Sequence, residues 1–399
     1  MRHQRSPYRF LRWALLWALM WAAIVLATPV AAIGRLMGIR FLGINYKRIG
    51  HLAVEPDCFV KERILGQHRE IIPFACAPRD QVCNRTLLDC WRPYIHWITE
   101  PWLCAILKPL EWHPLLAFDV SSYVMVPKEG CGYVSIARHW RGREPVIVLP
   151  EHVQEAGERA LLELGVPEGV WFVCVHNREG GYSPGDEDWH SYRNCSIESY
   201  VTAMKEIVDA GGWCIRIGDP SMAPLPAMQH AIDYAHHSIR SDWLDLYLLA
   251  HCRFFLGNTS GPFLVASIFN RPVVLANMTP IGATLPYGHR DLGIPKLIQH
   301  EGPAGNMSFS DMLESPSSTY QFSAQFAKDG LVVVDNSSDE VRELALEMIQ
   351  TPGDEAVRME DDDELQGKFK SLMRPHHISY GSESRVGRDF LRKYRRLLP

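Results

Sequence analysis

RFFLGNTSGPFLVASIFNRPVVLAN, residues 253–277, decides how the chain folds. It opens on the apolar run Phe254, Phe255, Leu256 and breaks at the small polar turn Gly257-Asn258-Thr259-Ser260-Gly261. A helical pattern follows, with Pro262 where a first turn tolerates it and Phe263, Val265, Ala266 and Phe269 as apolar faces. Asn270-Arg271-Pro272 ends the helix, and residues 273–276 read as a second buried strand. Such a turn offers unpaired N–H groups and short hydroxyls at a helix start, where the helix dipole also favours a phosphate. On local pattern two readings stay open: Asn258 and Ser260 cap the helix, or the turn holds an anion.

Working outward, residues 171–175, 213–217 and 331–335 read as apolar strands. Residues 196–210, 227–234, 242–250 and 339–350 read as helices, with Ser196 and Ser241 as caps. Strands alternating with helices of this length predict a parallel, doubly wound α/β sheet. The first half repeats the theme less cleanly. Strands are expected at 41–46 and 70–75, a helix at 55–66, and two helices within 81–108 that break near Pro101. Strand and loop character then runs to residues 145–150, and a helix at 151–165 links the halves. After an acidic stretch at 360–364, a basic amphipathic helix at 390–398 is expected to pack back on the first domain. The expected divisions are 1–38 (basic segment and anchor), 39–150, 151–355, and 356–399 (linker and C-terminal helix).

The N-terminus stands apart. Arg2, Arg5, Arg9 and Arg12 precede an uncharged run from Trp13 to Ile33, long enough for a spanning helix. A cleaved signal peptide is the rival, since Val30-Ala31-Ala32 resembles a cleavage site. Arg35 and Arg40 follow too closely for that, so a retained single-pass anchor is the expectation. Arginines on both flanks leave its orientation open. The formal charge of -5 across 399 residues gives no case for nucleic acid. The ten cysteines contain no CxxC pair and read as reduced core residues. Sequons fall at Asn84, Asn194, Asn258, Asn277, Asn306 and Asn336. A glycan on Asn258 would destroy the turn that holds it.

In a parallel sheet the strands ending near Val175, Ile217 and Leu256 present their carboxyl ends on one edge. The loops there carry His176 and Arg178, Arg216 and Asp219, and residues 258–261. Two arginines beside a helix start suit a diphosphate, because a guanidinium fork pairs with phosphate oxygens. Lys47, Arg48, Gly50 and His51 read as an open turn after the first strand, at the edge where α/β sheets bind ligands. No Walker A or GxGxxG follows any strand, and no HExxH or Asp-x-Asp metal signature stands out. The loop GYSPGDEDWHSYRN reads either as solvated surface or as a lid; its cluster Asp186, Glu187, Asp188 is the sole candidate for a divalent ion, and its loop setting favours solvated charges, so no metal is expected.

RIGHLA, VHNREGGY, IRIGDPS, SDWLDLYLLAHCRFFLGNTSGP and the tail SYGSESRVGRDFLRKY, in that order, resemble a family of bacterial glycosyltransferases of about this length. His-x-Arg after a strand and the Thr-Ser-Gly turn are similar, more distantly, to donor-site motifs of fucosyltransferases and heptosyltransferases. The resemblance implies a GT-B-like fold of two Rossmann-like domains facing a cleft, with an N-terminal transmembrane helix. It implies metal-independent transfer from a nucleotide sugar to an envelope or lipid-linked glycan acceptor, the nucleotide sugar being substrate rather than cofactor. Arg178 and Arg216 would hold the diphosphate, with Asn258, Thr259, Ser260 and Gly261 offering donors. His51 would face the acceptor, and the general base would be His51, His176 or Asp219. Nucleotide sugars are cytoplasmic, so the catalytic domains are expected on that side of a bacterial inner membrane. A sugar-nucleotide 2-epimerase of similar fold and a membrane-tethered, non-catalytic glycan-binding protein remain the alternatives.

Overall fold

The computed structural model describes residues 7–124, 129–181, 187–283, 286–302, 305–351 and 361–399. Two compact units divide between Ser121 and Ser122, earlier than the boundary at 150/151 read from the sequence.

In the first unit, helices α1 (Pro7–Leu26) and α2 (Thr28–Leu36) lead into β1 (Ile39–Leu42), α3 (Ile49–Ile64) and β2 (Ile72–Cys76). α4 (Arg85–Trp91), β3 (His96–Ile98), α5 (Pro101–Glu111) and β4 (Ala117–Phe118) complete it. The parallel sheet runs β3-β2-β1-β4. Between the two helices expected in 81–108 lies the strand β3, which the tryptophan-rich sequence had concealed.

The stretch from Trp13 to Ile33, expected as one spanning helix, is divided between α1 and α2. Among the described residues no single helix is long and apolar enough to cross a membrane. The segments Ala14–Leu26 and Thr28–Leu36 pass that test only together, with a 51° bend between them. Pro29 sits in the first turn of α2, where its missing N–H cannot continue the hydrogen bonds of α1.

Helix α3 begins six residues before the expected start at Glu55, so Gly50 and His51 belong to its first turn, not to an open loop. Leu52, Ala53 and Phe59 are fully buried, which anchors that start in the core. Pro56 inside α3 leaves the carbonyl of Leu52 without its usual i+4 donor. The indole Nε1–H of Trp91 on α4 donates to that oxygen at 3.0 Å.

The second unit contains α6 (Gly132–Trp140), α7 (Glu151–Glu163), β5 (Phe172–His176), α8 (Glu187–His190), α9 (Glu198–Asp209) and β6 (Trp213–Arg216). β7 (Ala231–Ile232), α10 (Asp242–His251), β8 (Phe255–Gly257), α11 (Pro262–Ile268), β9 (Val273–Met278) and β10 (Leu292–Pro295) follow. Next come β11 (Leu297–His300), α12 (Phe309–Glu314), α13 (Ser323–Lys328), β12 (Leu331–Val334), α14 (Ser338–Gln350), α15 (Asp362–Ser371), β13 (Arg385–Val386) and α16 (Arg388–Lys393).

Seven parallel strands run β13-β10-β9-β8-β5-β6-β7. Fully buried Val173, Val175, Leu256 and Val274 meet Tyr200 and Met204 of α9 and Val341 and Ala345 of α14 in one core. Four expectations change. The helix expected at 227–234 is the short strand β7, paired parallel with β6, and a 3-10 turn. Strand 331–335 pairs antiparallel with β11 in a separate ribbon. Residues 145–150 form no strand. The tail packs on its own unit: β13 adds to the sheet, and Tyr394 and Lys393 reach Glu340 of α14.

All ten cysteines are free, eight of them buried. Asn84, Asn258, Asn277 and Asn336 are buried sequon asparagines, Asn84 as the cap of α4.

Trp91→Phe keeps the ring packing but orphans the buried Leu52 carbonyl. The expected cost is about 1–3 kcal/mol, read as a lower urea midpoint.

Candidate functional site

Each sheet reverses its strand order beside one strand, and in open α/β sheets such a switch point is where ligands meet the carboxyl edge. In the second unit β6 and β7 lie on one side of β5, while β8, β9 and β10 lie on the other. The switch falls between β5 and β8, where Val175 pairs with Leu256 and His176 with Gly257. The loops carrying His176 to Glu179 and Gly257 to Gly261 therefore diverge from one point, as the sequence led us to expect.

Gly257 is required there: a Cβ would sit 2.3 Å from the His176 carbonyl oxygen. Asn258 is fully buried and spends its whole side chain on the scaffold. Its Oδ1 accepts from the Arg178 N–H at 2.9 Å, and its Nδ2 donates to Arg193 O at 2.8 Å. This corrects the expectation that Asn258 faces a ligand. Ser260 Oγ donates to Asn258 O at 3.2 Å. Thr259 Oγ1 is buried and has no hydrogen-bond partner among the described residues. The backbone N–H groups of Thr259, Ser260 and Gly261 likewise donate to no described group. Pro262, first in α11, supplies no N–H. Three amides and one hydroxyl thus gather at the turn, a set that can receive an anion.

Arg178 is held by its own loop: Nη1 donates to His190 O at 3.1 Å and to Asn194 Oδ1. Arg216 is corrected more severely. It is 0% exposed, its Nη1 donates to Ala223 O at 2.6 Å and to Asp233 at 3.3 Å, and its Nη2 lies 3.7 Å from Glu179. Standing last in β6, between β5 and β7, it braces three loops and presents nothing to a ligand. Asp219 Oδ1 accepts from the Ser221 N–H at 3.0 Å, an ordinary turn contact.

His176 Nδ1–H donates to Ile217 O at 3.0 Å. Burial, and after it the Arg216 and Arg178 charges, push its pKa down to about 4 against that hydrogen bond. An imidazole so reluctant to take a proton is a poor general base. Lys296, buried just after β10, was missed by the sequence reading. Its Nζ bonds Asn194 O at 2.7 Å and Asp335 at 2.6 Å, which holds the Arg178 loop from behind.

In the first unit the switch point lies between β1 and β4. After β1, His51 Nδ1 stands 2.6 Å from Glu55 Oε1, one helical turn later. Glu55 is 4% exposed and accepts the Asn45 N–H with Oε2 at 2.9 Å. A carboxylate only accepts, so Nδ1 carries a proton, and in the neutral imidazole the lone pair is on Nε2. Glu55 was overlooked because α3 was expected to start at it. Once the helix starts at Ile49, the i,i+4 spacing is plain. Of the acidic cluster Asp186, Glu187 and Asp188, read as a candidate divalent-ion place or as solvated charges, Asp186 lies outside the described residues, as do the other two side chains. So does most of the expected lid, at 182–186.

No family model and no curated protein matches the chain. Among solved structures, the chain is similar to the Escherichia coli ADP-heptose lipopolysaccharide heptosyltransferase II at 14% identity and TM-score 0.45, over 78% of this chain and 99% of that one. The iron-containing dodecameric heptosyltransferase TibC, solved with ADP-D-beta-D-heptose, matches at 14% identity and TM-score 0.41, over 79% and 77%. A family 9 glycosyltransferase from Veillonella parvula matches at 10% and 0.29, over 55% and 60%. Likenesses this slight carry no weight for the chemistry, which rests on the side chains above.

The low pKa of His176 has a stability consequence. Between pH 6.5 and 4 the unfolded chain binds a proton that the folded chain refuses, so stability is full above 6.5 and falls toward 4. Urea midpoints across that window should fall for the native chain and fall less for His176→Gln.

Proposed function

We propose that the protein is a glycosyltransferase that moves a sugar from a nucleotide-sugar donor to an envelope or lipid-linked glycan acceptor without a metal. The observation that carries this reading is the His51–Glu55 pair. Glu55 fixes the tautomer of His51 so that the neutral imidazole carries its lone pair on Nε2, which is what deprotonation of an acceptor hydroxyl needs. Departure of a nucleoside diphosphate builds negative charge on the leaving phosphate, and the Thr259, Ser260 and Gly261 amides, Thr259 Oγ1 and Arg178 would stabilise that charge. Of the three expected bases, His176 is too weak and Asp219 is spent on a turn, so the proton goes to His51.

The catalytic units are assigned to the cytoplasmic face of a bacterial inner membrane, where nucleotide sugars are available. Attachment is assigned to the bent pair α1–α2. Trp17 and Trp21 on α1 are exposed, as are Trp102 and Ile106 on α5, which packs against α1. Exposed tryptophans beside an apolar segment suit the membrane–water interface.

In a panel of nucleotide sugars, one donor should release its nucleoside diphosphate in the presence of membrane glycan extract. His51→Ala should lower that kcat by about 10²- to 10⁴-fold. The same variant should leave the thermal stabilisation by the nucleoside diphosphate unchanged. Equal turnover by His51→Ala would remove the proposed base.

A further inference from the structure

A cavity of about 300 Å³ lies at the opposite edge of the second sheet from His176. It opens at the amino ends of four neighbouring strands. Arg253 precedes β8, Arg271 precedes β9, Arg290 precedes β10, and Arg385 begins β13; all four line it. Glu347 and Thr351, at the end of α14, form another wall.

Three of the four arginines are held in place without an ion pair. Arg253 stacks over the Trp171 ring at 4.4 Å. Arg271 Nε donates to Ala250 O at 2.5 Å, and Arg290 Nη2 donates to Asn270 O at 2.7 Å. Carbonyl oxygens orient a guanidinium and leave its charge standing. Among the described residues, Arg253, Arg271 and Arg290 form no ion pair. Arg385 lies 3.4 Å from the exposed carboxylate of Asp363, and its buried Nε has no partner.

Two carboxylates share the wall. Asp291 accepts the Val273 and Gly288 N–H groups, and burial raises it to about 7. Glu347 accepts the Arg388 N–H and is also raised by burial. Even with both ionised, the four guanidiniums outnumber them, and the cavity keeps a surplus of positive charge that an anion would balance. Guanidinium forks pair bidentately with phosphate oxygens, and the volume is at the lower end of small-molecule sites.

We propose that this cavity is a second ligand site, separate from the carboxyl-edge site, that binds a small phosphate-bearing molecule between the four arginines. The test is calorimetric titration of the full chain at constant ionic strength with inorganic phosphate, inorganic diphosphate and glycerol phosphate, with sodium sulfate as control. Saturable one-site binding of at least one phosphate compound is expected, and the tightest of the three names the source. Arg290→Gln should weaken it at least tenfold. Thr351→Glu, which adds a carboxylate to the wall and removes no arginine, should do the same if the first variant misfolds. Arg178→Ala should leave it unchanged. Absence of saturable binding, equal binding of sulfate, unchanged affinity in both cavity variants, or loss of binding in Arg178→Ala would each overturn the proposal.

Discussion

The second unit depends on how closely β8 approaches β5. Gly257 lets the two strands meet where any side chain would strike the His176 carbonyl, and Asn258 then ties the diverging loops together. Without that brace the Arg178 N–H and the Arg193 carbonyl would each lose a hydrogen bond beneath the turn. Lys296 and Asp335 hold the same loop from the far side. The amides of residues 259–261 are open to an anion because the asparagine before them has taken on the structural work.

The first unit follows the same logic with different residues. Its switch point lies beside β1, and the chain leaves that strand directly into α3. Helical spacing then sets His51 over Glu55. A helix interrupted by Pro56 tolerates this position because Trp91 supplies the missing donor. Thus a residue well away from the dyad helps hold the helix that carries it.

Much of this was legible in the sequence. Apolar runs separated by helical periods give the parallel sheet, and the convergence of the β5, β6 and β8 loops follows from that alone. Side-chain direction was less legible. Arg216 and Asn258 look like ligand residues from their place after a strand, yet burial between neighbouring strands turns both inward. Whether a polar residue faces solvent or scaffold is decided by long-range partners, such as Asp233 and Arg193, that no local pattern names. Prolines misled in both directions. Pro56 is accommodated inside a helix, whereas Pro29 bends what looked like one uninterrupted span.

The central claim is that a nucleoside diphosphate occupies the carboxyl edge between β5 and β8. Hydrogen–deuterium exchange of the full chain with ADP, GDP, UDP and CDP tests it most directly. One of the four should slow amide exchange at residues 177–180 and 259–264 while leaving the amino-edge loops at 270–272 and 288–291 unchanged. Slowing confined to those amino-edge loops, or none with any of the four, would contradict the account.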